Sequence, residues 1–177
     1  MHIDDILSFL HEEDHTEEEY LNYIPDDLET TYQRRLRSAQ NRSESAIKFE
    51  EELNDLFKKM TNDMQEAGVK ILAGSDAGAY NSFVYPGISL HKELEQMVSS
   101  GLTPLEALQT SILNGADFFN DYNEVGSITA GKQADLLFLN ANPLEDITNT
   151  QEIYSVVSDG KVFNSEALQN LFTDSDI

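Results

Sequence analysis

The spacing of apolar residues changes character near residue 68, and the elements it predicts change with it. Ala46, Phe49, Leu53, Leu56, Phe57, Met60, Met64 and Ala67 recur at three- and four-residue steps and are followed by Gly68. That is the stripe of an amphipathic helix over 43–67, stopped by a glycine. Upstream, 2–36 carries short apolar clusters such as Ile6-Leu7 and Tyr20-Leu21 between acid runs, with Pro25 as an interruption, and two or three short helices suit it. After Gly68 the short β-branched run Val69-Lys70-Ile71-Leu72-Ala73 predicts a strand that ends in Gly74-Ser75-Asp76-Ala77-Gly78. Ser89 is placed to cap a helix whose apolar face is Leu90, Leu94, Met97 and Val98, with Gly101 as its stop. Thr103-Pro104-Leu105-Glu106 predicts a capping box with proline at the first helical position, opening a helix through Leu108, Ile112, Ala116 and Phe119. Beyond Gly126, runs at 134–139, 153–157 and 162–163 predict three short strands, with Asp159-Gly160 as a tight hairpin turn, and a small polar helix near 165–172 follows.

Composition divides the chain at the same place, although charge does not. Residues 1–67 hold 18 acids and 7 bases and residues 68–177 hold 15 and 4, so each part carries −11. All nine glycines and three of the four prolines lie in the second part, which marks it as mixed α/β and the first part as helical. With 177 residues, 40% of them apolar, the chain can bury one sizeable core. The net charge of −22 argues against nucleic-acid phosphates and anionic membrane surfaces as partners. No run approaches the roughly 20 apolar residues that span a bilayer, and no basic-then-apolar signal segment opens the sequence. A soluble acidic protein is expected, with cytoplasm and periplasm both open. The lack of cysteine removes disulfides and cysteine-ligated zinc or iron–sulfur sites.

Four places carry candidate chemistry. Asp76 closes the predicted strand, where β/α barrels keep catalytic groups because the strand is rigid and the loop after it is open. An aspartate among glycines also serves simply to bend a loop. His11-Glu12-Glu13-Asp14-His15 matches the His-Glu-x-x-His pattern, in which two histidines one helical turn apart bind zinc beside a base. Glu13, Asp14, Glu17, Glu18 and Glu19 around it suit a solvated acidic helix better than one buried beneath a cleft. His91, early in the helix after the Asp76 loop, reads as a packed or hydrogen-bonded histidine, with Glu93 and Glu95 as first-turn acids complementing the helix dipole. Tyr80, Phe83 and Tyr85 sit in a loop bounded by glycine and Pro86, placed to line a substrate pocket or to pack against a neighbour.

Read in order, Gly74-Ser75-Asp76, Ser89-Leu90-His91-Lys92-Glu93-Leu94 and Gly101-Leu102-Thr103-Pro104-Leu105-Glu106-Ala107-Leu108 resemble the end of the barrel in metal-dependent amidohydrolases. Gly126-Ser127-Ile128, Gly131-Lys132-Gln133-Ala134-Asp135-Leu136, Asn142-Pro143-Leu144 and Val156-Val157-Ser158-Asp159-Gly160-Lys161 resemble the C-terminal strands of the accessory β domain of those enzymes. The resemblance covers 69–163 and is nearest to the imidazolonepropionase- and prolidase-like branch. It departs from the family pattern at Ile112, where the late helix has a threonine.

The resemblance implies a metal centre of an early His-x-His pair, a mid-barrel Lys or Glu, two further histidines and a late aspartate. Only the last has a match, at Asp76, and His2, His11, His15 and His91 include no His-x-His pair. The expected fold is therefore α/β: a C-terminal fragment of a TIM-like (β/α)8 barrel with strands of the accessory β domain, preceded by a helical segment. Its expected divisions are a helical segment at 1–67, the last barrel strand and following helices at 68–122, and accessory strands with a terminal helix at 123–177. In the full-length enzyme Asp76 would be metal ligand and general base, a divalent ion such as zinc the cofactor, and an amide, cyclic amide or Xaa-Pro dipeptide the substrate. The fragment alone is expected to be inactive and to bind no metal tightly. The alternatives are a zinc metalloprotease built on His11 and His15, or a non-catalytic acidic interaction module. The strands at 69–73, 135–139, 153–157 and 162–163 should seek partners in the missing N-terminal part, and the helix at 43–67 should need cover, so a homo-oligomer is expected.

Overall fold

The computed structural model describes residues 25–78 and 84–173. Its first helix, α1 (Asp26–Gln40), starts where the Pro25 carbonyl accepts the Leu28 and Glu29 amides at 2.9 and 3.1 Å, and it runs past the expected limit at Leu36. Helix α2 (Glu44–Glu66) follows its predicted bounds closely. The Ser43 side chain accepts the Ala46 amide at the N-terminus, and Gly68 at φ 74° takes the left-handed position after the last turn. None of its residues is buried. Its apolar stripe stands in the open, with Phe49 62% and Leu56 50% exposed.

Residues 71–78 alternate between half-buried and exposed, the period-two pattern of a strand, with Ile71 and Ala73 turned to the core. Val69–Ala73 joins no ladder among the described residues. A strand is defined by its neighbour, and here helices take that place: the Ala73 amide donates to the Thr110 carbonyl at 3.2 Å, and the Asn114 side-chain amide donates to the Ile71 carbonyl at 2.8 Å.

Helix α3 (Ile88–Ser99) is capped by Gly87 at φ 85° and not by Ser89. Ser89 lies within the first turn, buried, and its hydroxyl donates back to the Tyr85 carbonyl at 2.6 Å. The helix therefore begins early enough that Glu93 and Glu95 fall beyond its first turn, leaving that turn without an acid. Helix α4 (Pro104–Ser111) opens with the predicted capping box, in which Glu106 accepts the Thr103 amide at 2.8 Å and Thr103 accepts the Glu106 amide at 3.3 Å. The helix expected to continue through Phe119 breaks at Ile112, at φ −108° and ψ −68°, and α5 (Leu113–Phe118) resumes beyond the break. Ile112 is half exposed there.

The core joins Leu94 and Met97 of α3, Leu102, Ala107 of α4 and Ile147, with Ile71 and Ala73 packed against it. Three antiparallel strands follow in the order β1 (Leu136–Leu139), β2 (Ile153–Ser158), β3 (Lys161–Asn164). They pair with one another, Leu136 opposite Val157 and Val156 opposite Phe163, so their inner edges need no strand from elsewhere. Asp159 and Gly160, at φ 50° and 72°, form the two-residue hairpin between β2 and β3, a turn that demands positive φ at both positions. A 3₁₀ helix (Ile147–Gln151) connects β1 to β2, and α6 (Ser165–Thr173) ends the described chain.

Candidate functional site

Asp76 is exposed at the end of the Val69–Ala73 segment, its backbone in the left-handed region at φ 52°. Aspartate tolerates that region better than most residues, and held strain of this kind gathers at functional loops. Its segment is anchored on one edge by Thr110 and Asn114 and on one face by the core, while the Lys70 side chain pairs with Asp117 of α5. An exposed carboxylate therefore stands on a held segment.

A carboxylate is a suitable donor for a divalent ion, and a structural or catalytic centre takes about four donors or more. No group of three or more His, Cys, Asp or Glu side chains converges among the described residues. Asp76 thus fits such an ion in kind, and the described residues do not complete its coordination. His11 and His15, the other candidate ligands, lie outside the described residues, as do Tyr80 and Phe83.

Tyr85 is buried, and its carbonyl receives both the Ser89 hydroxyl and the Ser89 amide, at 2.6 and 3.0 Å, which ties the loop to the start of α3. His91, on the next turn, is half-buried and shares a 2.9 Å hydrogen bond through Nδ1 with the Thr150 hydroxyl. Thr150 donates its own hydrogen to the Ile147 carbonyl at 2.9 Å, so it accepts from Nδ1–H and fixes the ring tautomer. Burial lowers the His91 pKa from its ordinary value, and nearby Glu95 acts in the opposite sense. This is the hydrogen-bonded helix histidine that the sequence suggested.

Several motif residues prove to hold turns. Lys132 donates to the Val125 carbonyl at 3.0 Å and to that of Tyr122, with its ammonium 3.8 Å from the Tyr122 ring centroid. Asp135 accepts the Asp159 amide at 3.1 Å and the Gln133 side-chain amide at 2.8 Å, pinning the hairpin turn to the start of β1. A cavity of about 540 Å³ between Ile112, Ile128 and Leu137 lies against this region and does not include Asp76. Sequence reasoning missed Thr110 and Asn114. The signal that could have found them was two poor helix formers, one on each side of a β-branched Ile112, inside a predicted helix.

The Amidohydrolase family model matches residues 10–163. Adenine deaminase from Clostridium botulinum (strain ATCC 19397 / Type A) is 28% identical over 111 residues, 63% of this chain and 17% of its own length. Among solved structures, a Xaa-Pro dipeptidase with bound methionine in the active site is 26% identical, with a TM-score of 0.58 over 93% of this chain and 34% of its own. The bottromycin amidohydrolase AH shares the fold, with a TM-score of 0.78 at 22% identity over 97% of this chain and 37% of its own. The chain spans 17% of the curated relative's length. Because the matched span takes in the Asp76 segment, the helices that hold it and nearly all of the C-terminal sheet, the chain belongs to the amidohydrolase family.

Proposed function

We propose that this chain is the C-terminal part of a metal-dependent hydrolase that cleaves carbon–nitrogen bonds in amides, cyclic amides or Xaa-Pro dipeptides, with Asp76 as metal ligand and general base. The observation that carries the reading is the exposed Asp76 carboxylate at the end of a segment held by backbone bonds on one edge and by the core on one face. The names of two relatives, an adenine deaminase and a Xaa-Pro dipeptidase, both denote release of nitrogen from carbon and support the bond class.

A bound dication such as zinc supplies Lewis acidity and a water of lowered pKa. Asp76 would give one donor to that ion, with the remaining donors supplied from beyond the described residues. As water adds to the carbonyl carbon, the Asp76 carboxylate would accept its proton. It then delivers that proton to the departing nitrogen, so the same group serves as base and acid. Tyr80, Phe83 and Tyr85 would serve as substrate-contacting residues. The uncovered stripe of α2 is met by a second copy of the chain or by the rest of the barrel. The test is Asp76→Asn in the full-length enzyme, which keeps the fold and is expected to lower turnover by several orders of magnitude. A loss smaller than about tenfold removes the assigned role.

A further inference from the structure

The carboxylate at Asp76 can act only if the segment beneath it keeps its register, and Val69–Ala73 has no strand ladder among the described residues to set that register. In a parallel ladder, one residue of the neighbouring strand donates its N–H to the carbonyl of residue i and accepts the N–H of residue i+2 through its own carbonyl. The Ile71 carbonyl and the Ala73 amide are such a pair, two residues apart on one edge of the segment. The first receives the Asn114 side-chain amide at 2.8 Å, and the second donates to the Thr110 carbonyl at 3.2 Å. We infer that Asn114 is a positioning residue which, with the Thr110 carbonyl, acts as a surrogate parallel strand and holds Asp76 at its working place.

The break at Ile112 is what makes this arrangement possible. In an unbroken helix the Thr110 carbonyl would accept the amide of residue 114 and would not be available to Ala73. Ending α4 at Ser111 leaves the Thr110 carbonyl for Ala73, and restarting at Leu113 puts Asn114 in the first turn of α5, where its amide reaches Ile71. Thr110 itself is buried, with its hydroxyl donating to the Ala107 carbonyl at 2.6 Å and lying 3.2 Å from the Met97 sulfur, so the acceptor half of the clamp is fixed to the core. Further along α5, the Lys70–Asp117 pair joins the same helix to the same segment on the surface.

The inference rests, for its consequence in catalysis, on the role proposed for Asp76; the clamp itself does not. Asn114→Asp is nearly isosteric and, as a carboxylate, replaces the donor with an acceptor facing the Ile71 carbonyl. In the 177-residue chain, the Ala73 amide should then exchange with solvent about five- to tenfold faster, while the amides of Met97, Leu102 and Ala107 keep their rates. An unchanged Ala73 rate overturns the clamp. Equal acceleration at all four amides also overturns it, since Asn114 would then merely support the fold; Asn114→Ala, measured alongside, must show the same local pattern. In the full-length enzyme, Asn114→Asp should lower kcat at least about tenfold with KM changed less than about twofold. If Asp76→Asn leaves turnover intact, the catalytic reading fails while the exchange result still decides the clamp. If Asp76→Asn abolishes turnover and Asn114→Asp leaves it intact, the positioning role is overturned and the catalytic reading stands.

Discussion

Gly126→Ala and Gly131→Ala form a matched pair in which one glycine is required for two reasons and the other for one. Both have positive φ, 84° and 95°, so a side chain at either costs roughly 1–2 kcal/mol in backbone strain. At Gly131 a Cβ meets nothing within 4 Å, and the cost ends there. At Gly126 the new methyl would lie 2.8 Å from the Ala116 Cβ and 3.4 Å from the Ile112 carbonyl oxygen. Ala116 is buried on α5 and has no rotamer by which to withdraw. Overpacking of that kind adds roughly 1–3 kcal/mol, so Gly126→Ala should lose about 2–5 kcal/mol in total. Urea unfolding followed by circular dichroism reads both variants against the parent chain, with the m-value as a check that the unfolded state is unchanged. Equal losses in the two variants would refute the reasoning, because they would mean that the loop after α5 moves off Ala116 at no cost.

Other parts of the molecule carry three further expectations. The folded-state pKa of His91 is lowered by burial, so the unfolded chain binds the proton more readily. Its contribution to stability is whole above the imidazole's ordinary value near 6.5 and is lost as pH falls from there through the lowered folded value, and His91→Gln should flatten that part of a pH–stability curve measured by urea titration. Zinc titrated into the chain by calorimetry should show no sub-micromolar binding; such binding, if lost on His11→Ala with His15→Ala, would favour the protease alternative. The uncovered stripe of Phe49, Leu56, Phe57 and Met60 should draw two copies together despite the charge of −22, so light scattering behind size exclusion should give a dimer, and a monodisperse monomer would show that the stripe is tolerated in water.

What was legible in the sequence was set by neighbours a few residues apart. The Thr103–Glu106 box, the Gly68 stop and the Asp159-Gly160 hairpin are each decided within four residues, and each stands where the pattern put it. The break at Ile112 was hidden because the apolar spacing from Leu108 to Phe119 runs straight through it. The gain that offsets the lost helical bond lies about 40 residues away, at Ile71 and Ala73. The start of α3 was misplaced for a smaller reason: Gly87 at φ 85° turns the chain shortly before a serine that resembles a cap. Asp76 itself was legible as a carboxylate at the end of a strand-like run. The groups that would share its work were not, since among the described residues no cluster of ligands surrounds it.

The two ends of the resemblance differ in how far they stand alone, and hydrogen bonding explains the difference. Each bond of the β1–β2–β3 sheet is made within residues 136–164, and Lys132 and Asp135 tie the approach to that sheet through carbonyls and an amide no further than 24 residues away. A short closed loop of contacts costs little chain entropy, so the pairing of this sheet is set locally. The Asp76 segment has no such self-sufficiency. One edge is satisfied by α4 and α5, at a separation of 37 to 43 residues, and Leu72, which alternates to the other side, is exposed. On the proposed reading, a further strand of a barrel would add at the other edge of the segment and arrive beside Asp76. On the reading proposed for Asp76, a strand that paired with that edge would bring its backbone and its side chains to the same short stretch of chain as the carboxylate.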